Sequence, residues 1–337
     1  MFQFYYTKWS VMGAILVDIF ATLALFAMVV TLYHLYRRDV RPVRPKAKWS
    51  ARAVLLRTAA VFVMFVLLAF YSETELGGNL FSSEHDTKIV AHRAGAAFAP
   101  ENTVAALKAS IDAGVELAEI DVQQTRDGVL IVMHDASFKR TANLNQKVWD
   151  TEYKTVKTLD AGSHFSSDFA GEKIPTLQEM LLTAKNRIHL MIELKSTGHE
   201  KHLVEKTVQE VIAAGMSRQC TIASMDLDLL KESKSLAPAI DTVYITTFLK
   251  SDSFDHSYLD GYSVETTFLS PKIVAEAHAR GKKVYGWTAN TKKNMKKILR
   301  LGTDGLVTDN PLYGMFTSKN ADKDQTLEFV TDLLYPD

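Results

Sequence analysis

Short apolar segments typical of buried β-strands recur from residue 88 onward, and amphipathic helical segments separate most of them. They lie at 88–92, 117–122, 129–134, 188–194, 220–225, 242–247, 261–266, 283–288 and 305–308. Alternating strands and helices predict a parallel sheet with helices outside, and about eight repeats predict a TIM-like (β/α)8 barrel. The nine segments exceed the eight strands of such a barrel by one. Because the residues from Asp121 to Val129 leave no room for a helix, we expect an irregular or hairpin-like step there.

Residues that commonly begin helices follow several of these strands. Asn102 and Thr103 precede a segment whose apolar positions share one face, and Thr176 precedes another. Pro271 opens a third helix that Gly281 closes. A polar insert at 136–175, which contains His164, interrupts the alternation. Loops of that length in a compact domain are usually functional or disordered, and an isolated histidine is usually a surface or structural residue.

Charged side chains stand two residues apart in two of the predicted strands. Glu119 and Asp121 share one face of their strand, and Glu193 and Lys195 share one face of theirs, because strand side chains alternate. Carboxylates brought together on a buried face repel each other and need a cation nearby. Glu119, Asp121 and Glu193 could converge at one end of the barrel and supply oxygen ligands to one hard divalent cation, Ca²⁺ or Mg²⁺. The alternative is a buried ionic network of these acids with Lys195 and Arg93.

Several motifs carry a family resemblance. The stretch 89–135 contains IVAHRAGAAFAPENT and ELAEIDVQQTRDGVLIVMHD, and further along the chain follow DAGSHFSSDFAGEKIPTLQEML, IELK at 192–195, VYGWTAN at 284–290 and DGLVTDNP at 304–311. In this order they resemble the glycerophosphodiester phosphodiesterase family over residues 88–316, about two thirds of the chain. The family usually has His-Arg-Gly where Ala94 follows Arg93 here. If that position requires a positive φ, Ala94 would be strained.

The resemblance implies a TIM barrel that hydrolyses glycerophosphodiesters with the help of a metal. It implies that the glycerol 2-hydroxyl attacks the phosphorus, and that water then opens the cyclic phosphate. Histidines titrate near neutrality and suit acid–base work, and we assign His92 as base and His134 as acid, although their order could be reversed. The site residues are catalytic His92 and His134, substrate-binding Arg93, Lys195 and Trp287, metal ligands Glu119, Asp121 and Glu193, and the supporting candidates Glu101 and Glu265.

The individual roles rest on simple chemistry. Arg93 matches phosphoryl oxygens with its fork of N–H donors, and Lys195 adds a point charge beside the metal. Glu101 could orient Arg93, contribute to the metal site, or simply begin a helix. Trp287 lies on a strand face with Tyr285, where it could pack against glycerol or serve as a core aromatic residue. Glu265 is predicted to point into the barrel, with its role open.

The amino-terminal part of the chain has a different composition. The segments 11–35 and 53–71 are almost entirely apolar, and about twenty such residues span a bilayer. They flank a loop at 37–57 in which Asp39 is the only acid among many Lys and Arg residues. Because short basic loops stay cytoplasmic, we predict two transmembrane helices with both termini outside. A cleaved signal peptide is the alternative for the first segment, although that segment is long and no small-residue cleavage site follows it.

These segments divide the chain into four parts: a two-helix anchor at 1–72, a polar linker at 73–87, the barrel at 88–316 and a tail at 317–337. Lys plus Arg equal Asp plus Glu at 39 each, so no global charge indicates nucleic-acid binding. The single cysteine, Cys220, cannot form an internal disulfide, so the barrel depends on its core for stability.

We therefore expect a two-pass cell-membrane enzyme with an extracytoplasmic catalytic domain that releases glycerol 3-phosphate from glycerophosphodiesters. Lysophospholipids, cleaved as by a lysophospholipase D, and polyglycerolphosphate polymers of the teichoic type are alternative substrates. Homo-oligomers are compatible with the sequence. From a different functional class, the domain could be a catalytically silent barrel that binds phospholipid headgroups or a partner protein.

Overall fold

The computed structural model describes residues 87–249 and 254–320, together with Met28. Apart from Met28, both predicted membrane segments lie outside this part of the chain, as do nearly all of the linker and residues 321–337 of the tail. The predictions made for them therefore stay predictions. Within 87–249 and 254–320, no helix combines the length and the apolar composition that crossing a bilayer requires.

The strands of the described residues belong to one sheet. They are β1 (Lys88–Ala91), β2 (Leu117–Gln124), β3 (Leu130–Val132), β4 (His189–Leu194), β5 (Cys220–Ser224), β6 (Asp241–Thr246), β7 (Gly261–Glu265), β8 (Lys283–Trp287) and β9 (Gly305–Thr308). All except β3 run parallel in the order β1, β2, β4, β5, β6, β7, β8, β9, and β9 pairs with β1 to close a barrel. β3 pairs antiparallel with the end of β2. The TIM-like barrel and the hairpin step are both confirmed.

Helices follow most of the strands, and five of the eight that are named here begin at a side-chain cap. They are α1 (Val104–Asp112), α2 (Lys139–Ala142), α3 (Tyr153–Val156), α4 (Leu177–Ala184), α5 (Leu203–Ala213), α6 (Leu227–Leu236), α7 (Pro271–Ala279) and α8 (Lys292–Arg300), and residues 311–320 are also helical. Thr103 caps α1 through its hydroxyl, and Thr176 forms a capping box with Glu179 at the start of α4. Pro271 is the first residue of α7.

The barrel interior is a packed layer of side chains. They come from alternate positions of most strands: Val90, Leu117, Met191, Ala223, Val243, Ile245, Tyr285 and Val307, with half-buried Trp287 against them. Gly305 makes room for the Tyr285 ring, because a Cβ at Gly305 would lie 2.4 Å from Tyr285 Cδ1. The interior-facing residues beyond this layer stand at the carboxyl ends of the strands, where sites of this fold are built.

The insert 136–175 is an ordered part of the fold with a small core of its own. Short helices α2 and α3 and the 3₁₀ turns Val148–Asp150 and Ser167–Phe169 lie in it. Five buried apolar side chains of the insert pack against Ile131 of β3 and against Met133 just after that strand. The five are Phe138, Val148, Val156, Ala161 and Ile174. Trp149 of the insert stacks on His199 in the loop after β4, with ring centroids 4.4 Å apart. The insert therefore reaches the carboxyl end of the barrel.

Candidate active site

Strand alternation and register bring three carboxylates together inside the barrel. Glu119 and Asp121 of β2 follow the interior residue Leu117 at spacings of two, and Glu193 of β4 is in register with Asp121. One oxygen from each of these acids lies within 4.8 Å of the others, and all three side chains are buried. The predicted convergence of the three acids is therefore present in the structure.

The charge on this acid cluster is only partly balanced by protein groups. Lys195 Nζ lies 2.7 Å from Asp121 Oδ1 and 2.7 Å from Glu193 Oε1. Glu119 Oε2 accepts a hydrogen bond from the backbone N–H of Arg93 at 2.8 Å, but Glu119 Oε1 is buried and has no partner among the described residues. A single lysine thus contacts two of three buried acids, and an oxygen of the third is unsatisfied.

The pKa values of the acids follow from this arrangement. Burial, and then the charge of Asp121, raise the pKa of Glu119 to about 8, and burial likewise raises the pKa of Glu193. Burial opposes the ionised form of Asp121 as well, but the charges of Lys195 and His134 and the hydrogen bonds from Lys195 and Asn102 together outweigh burial and lower the pKa of Asp121. An all-oxygen donor set with an unsatisfied oxygen and excess negative charge fits a hard divalent cation. In the alternative network with Lys195 and Arg93, Lys195 contacts Asp121 and Glu193, whereas Arg93 contacts Glu119 through its backbone N–H and directs its guanidinium to Glu101.

His92 is held beside the acid cluster by Asp309. It follows β1 directly, and its Nδ1 donates to Asp309 Oδ1 at 2.6 Å, while its Nε2 lies 3.9 Å from Glu119 Oε2. Asp309 follows β9, and its backbone N–H donates to Asn290 Oδ1 at 3.0 Å. Burial disfavours the charged ring, but the bond to Asp309 and the nearby carboxylates outweigh burial and raise the pKa of His92.

The turn after β1 has an unusual backbone. Arg93, Ala94 and Gly95 have φ values of 50°, 65° and 107°, so three consecutive residues lie in the left-handed region. This turn directs the Arg93 N–H to Glu119. Ala94 is fully buried and carries the steric cost that a glycine would avoid, as the departure from His-Arg-Gly suggested. A Cβ at Gly95 would lie 2.4 Å from Ser110 Oγ, which explains the glycine there.

A chain of ion pairs connects Arg93 with His134. Arg93 Nη1 donates to Glu101 Oε1 at 3.1 Å, so Glu101 contacts the arginine rather than the acid cluster. Arg140 of α2 donates to both oxygens of Glu101 at 2.6 and 2.7 Å and to both oxygens of Asp135 at 2.8 and 3.0 Å. Asp135 Oδ1 in turn accepts from His134 Nδ1 at 2.9 Å. The hydrogen bonds that Asp135 accepts from Arg140, and to a smaller extent the bond from His134, lower the pKa of Asp135 to about 2.

Amide side chains hold the backbone of this site in place. Asn102 Nδ2 donates to Asp121 Oδ2 at 2.7 Å, and Asn102 Oδ1 accepts from the Asp121 N–H at 3.2 Å. Gln123 Nε2 donates to the carbonyl oxygens of Met133 and Asp135 at 2.7 and 2.9 Å. Asn102 therefore fixes an acid of the cluster, while the neighbouring Thr103 is the helix cap.

The remaining predicted residues have partners or positions of their own. Trp287 is half-buried on the interior layer, and its Nε1 donates to the Ser263 carbonyl at 3.0 Å. Glu265, at the end of β7, accepts hydrogen bonds from the N–H and the hydroxyl of Thr267 at 3.0 and 3.1 Å. His164 is an exposed residue of the insert.

Several residues that shape the site were not predicted from the sequence to do so: Asn102, Gln123, Asp135, Arg140, Asn290 and Asp309. Two of them carried a usable signal, because Asn290 and Asp309 are polar residues that close the strand-like segments of VYGWTAN and DGLVTDNP. The role of Arg140 had no such signal, since α2 lies in an insert without strand or helix periodicity.

Comparisons with known proteins agree with this geometry. The model of the glycerophosphoryl diester phosphodiesterase family matches residues 92–313. A glycerophosphodiester phosphodiesterase of Caldanaerobacter subterraneus is 32% identical over 234 residues, which is 67% of this chain and 95% of the relative. One of Bacillus altitudinis is 30% identical over 233 residues, 67% of this chain and 95% of the relative.

Solved structures agree as well. An Oleispira antarctica phosphodiesterase, determined in complex with the product sn-glycerol-3-phosphate, superimposes with a TM-score of 0.63 at 26% identity, covering 69% of this chain and 96% of that one. The family match, the similar fold and the arrangement of the site residues therefore support the same assignment. The chain is an enzyme of the glycerophosphoryl diester phosphodiesterase family.

Proposed function

We propose that the protein hydrolyses glycerophosphodiesters to glycerol 3-phosphate and an alcohol, with one Ca²⁺ or Mg²⁺ held by Glu119, Asp121 and Glu193. The observation that carries this proposal is the acid cluster, whose ligand oxygens lie within 4.8 Å of one another beside the His92 imidazole. The cation, when bound, supplies positive charge for the phosphoryl oxygens. The product bound in the Oleispira structure supports the same substrate class.

In the first step, His92 accepts the proton of the glycerol 2-hydroxyl as that oxygen bonds to phosphorus. Asp309 accepts from Nδ1, so Nε2 of His92 is the nitrogen left to take the proton. The bond from phosphorus to the leaving alcohol breaks, and His134 gives this alcohol its proton. Asp135 holds Nδ1 of His134 in the same manner.

In the second step, water adds to the cyclic phosphate and opens it to glycerol 3-phosphate. The two imidazoles exchange their acid and base roles for this step. Arg93 has a buried Nε with no partner among the described residues, and this N–H is available to a phosphoryl oxygen. Both histidines and all three acids required for this chemistry are present together, which argues against a catalytically silent barrel that only binds headgroups.

Glycerol 3-phosphate release from glycerophosphocholine by the purified chain tests the proposal. We expect activity that EDTA abolishes and that Ca²⁺ or Mg²⁺ restores, and we expect Glu119→Gln to be inactive with either ion. Glu210→Gln is the matched control, because Glu210 Oε2 is also a buried, unpartnered carboxylate oxygen but lies on α5 outside the acid cluster. Full activity in EDTA would contradict the metal dependence.

We place the enzyme in the cell membrane with the barrel outside the cytoplasm. The two apolar segments at 11–35 and 53–71 and the basic loop at 37–57 support this placement. An outward-facing enzyme would meet deacylated phospholipids, lysophospholipids and polyglycerolphosphate polymers. Protease digestion of intact spheroplasts should remove the barrel, and its protection would place the barrel in the cytoplasm.

A further inference from the structure

The amino end of the barrel, at the opposite end from the acid cluster, has a polar interior. Strand alternation and the registers of neighbouring strands identify the first interior-facing residue of each parallel strand. These residues are Lys88, Leu117, His189, Thr221, Asp241, Gly261, Lys283 and Gly305. Branched apolar residues normally fill such positions. Here five of the eight are polar or charged, so this end of the barrel departs from an ordinary packed interior.

A cavity of about 720 Å³ lies at this amino end. Its lining includes Lys88, Arg187, His189, Thr221, Lys283 and Tyr285. Gly261 and Gly305 add no side chains to the ring of interior positions, which leaves this end of the barrel open. Because sites for small molecules commonly have volumes of roughly 300–1,000 Å³, the cavity has the size of a ligand site.

The Tyr285 hydroxyl is a buried group without a protein partner. Tyr285 is only 5% exposed, and its ring lies against Gly305. Its hydroxyl forms no hydrogen bond with any other residue that the structure describes. Burial, and then the charges of Asp304 and Asp241, raise the pKa of Tyr285, so the hydroxyl keeps its proton and can donate. Since buried polar groups are nearly always hydrogen-bonded, this donor needs a partner from the cavity that Tyr285 lines.

His189 lies in a positive potential inside the same cavity. Its Nε2 is 2.9 Å from Thr221 Oγ1, and its Nδ1 has no partner among residues 87–249 and 254–320. Burial, and then the ammonium groups of Lys283 and Lys88, lower the pKa of His189 to about 4 against the opposing charge of Asp241, whose effect is smaller than that of Lys283. The ring is therefore uncharged at neutral pH, and the lysines dominate the charge around it.

Two acids at this end are already held by protein donors. Asp304 Oδ2 accepts from His278 Nε2 at 2.8 Å and from the backbone N–H of Val284 at 2.7 Å. Asp241 Oδ2 accepts from Lys283 Nζ at 2.9 Å, which uses one of the three N–H donors of that lysine.

Two cations of the cavity are paired less closely. Lys88 Nζ is 3.8 Å from Glu116 Oε1, too far for a hydrogen bond. Arg187 donates to the carbonyl of Thr183 and forms no ion pair with an acid in the described part of the chain. An anion in the cavity would give a partner to both cations and to the Tyr285 hydroxyl.

We infer that this cavity binds a phosphomonoester, with the phosphate held by Lys88, Arg187 and Lys283 and by the hydroxyl of Tyr285. A phosphate carries up to two negative charges and offers several oxygens, so it can accept from donors that come from different strands. The cavity is large enough to take the organic part of the ester as well. The inference does not depend on the proposed function, because none of these residues belongs to the catalytic site.

Calorimetric titration of the full chain with inorganic phosphate tests this inference. The chain carries Glu119→Gln and is kept in EDTA, so that the acid cluster holds no cation and its remaining carboxylates repel phosphate. We expect one saturable site. Lys88→Gln/Lys283→Gln should weaken binding at least about tenfold, and Tyr285→Phe about threefold, as charged and neutral hydrogen bonds would. Tyr285→Phe keeps the buried ring, so misfolding would not explain its loss.

Lys108→Gln/Lys231→Gln is the matched control. These lysines are exposed on helices α1 and α6, and their replacement changes the net charge equally. The control should bind phosphate as tightly as the Glu119→Gln chain. Absence of saturable binding to that chain, equal affinities of the cavity variant and the control, or equally tight binding of acetate would each overturn the phosphate site.

Two further ligands distinguish the sources of a phosphomonoester. Glycerol 3-phosphate and dihexanoyl phosphatidic acid, below its critical micelle concentration, should both compete with phosphate. Tighter binding of the lipid would assign the cavity to a membrane headgroup, and tighter binding of glycerol 3-phosphate would assign it to a free ester. Competition by neither would contradict the inference.

Hydrolysis of glycerophosphocholine keeps this inference separate from the proposed function. With Glu119 intact, Lys88→Gln/Lys283→Gln should hydrolyse this substrate as fast as the wild type. Hydrolysis without phosphate binding at the cavity would overturn the second site and leave the proposed function standing. Phosphate binding at the cavity of a chain without hydrolytic activity would do the reverse.

Discussion

Asp309 Oδ1 lies 2.6 Å from His92 Nδ1, although the two residues are separated by 217 positions in the sequence. Closure of the barrel between β9 and β1 is what brings them together. The carboxylate fixes the ring so that Nε2 remains beside the acid cluster. The proposed base therefore depends on a residue from the other end of the barrel sequence.

Replacing Asp309 by Asn should lower kcat by at least about tenfold, because the ring loses its carboxylate partner and its fixed orientation. Steady-state hydrolysis of glycerophosphocholine measures this loss. Asp304→Asn is the control, since Asp304 forms a similar pair with His278 at 2.8 Å at the start of β9. Unchanged kcat in Asp309→Asn would show that the pair does not serve catalysis.

Arg140 joins Glu101 to Asp135, and through them it connects Arg93 with His134. Arg140→Ala should reduce kcat by about a hundredfold, because small displacements of catalytic groups cost that much. Added guanidinium should restore part of the activity. Arg126→Ala removes a comparable exposed ion pair, with Glu152, and should stay close to wild type. If both variants behave alike, the connection through Arg140 has no catalytic role.

Ala94 and Ala106 are both fully buried, but they differ in backbone conformation. Ala94 has a φ of 65°, whereas Ala106 lies within helix α1. Glycine relieves the left-handed conformation at Ala94 and weakens the helix at Ala106. In urea unfolding, Ala106→Gly should therefore be less stable than Ala94→Gly by about 1–2 kcal/mol. Equal losses would mean that the turn after β1 carries no strain.

Cys220 begins β5 and is buried, and burial raises the pKa of its thiol to about 12. The thiolate is the reactive form, so the native protein should not react with a disulfide reagent even near pH 9, the ordinary pKa of a thiol. Reaction should begin with unfolding in denaturant. Rapid labelling of the native protein would contradict the burial of this strand.

The barrel was predictable because each of its signals is local. Strand-like segments could be counted, and the short step from Asp121 to Val129 excluded a helix and indicated the β2–β3 hairpin. Alternation predicted that Glu119 and Asp121 share one face of their strand and that Glu193 shares a face with Lys195. The joint role of the three acids was implied by the family resemblance, and the pairing of β2 with β4 brings them together.

Other parts of the site depend on contacts that the sequence does not display. The partners of His92 and Arg93 come from β9 and from the insert, and only the closed barrel and the folded insert bring them close. Glu265 was expected to point into the barrel, and its register with the interior residue Trp287 agrees with this, but the sequence does not display the hydrogen bonds that its carboxylate accepts from Thr267. Apolar loop residues such as Phe248 read as core in a sequence, and only the fold shows them exposed.

The central claim is that three carboxylates hold one divalent cation, and calorimetric titration with Ca²⁺ and Mg²⁺ tests it most directly. We expect one ion per chain for the wild type and for Glu210→Gln, and no measurable binding for Glu119→Gln or Glu193→Gln. Binding to Glu119→Gln with the wild-type affinity would contradict the assignment of the acid cluster as the metal site.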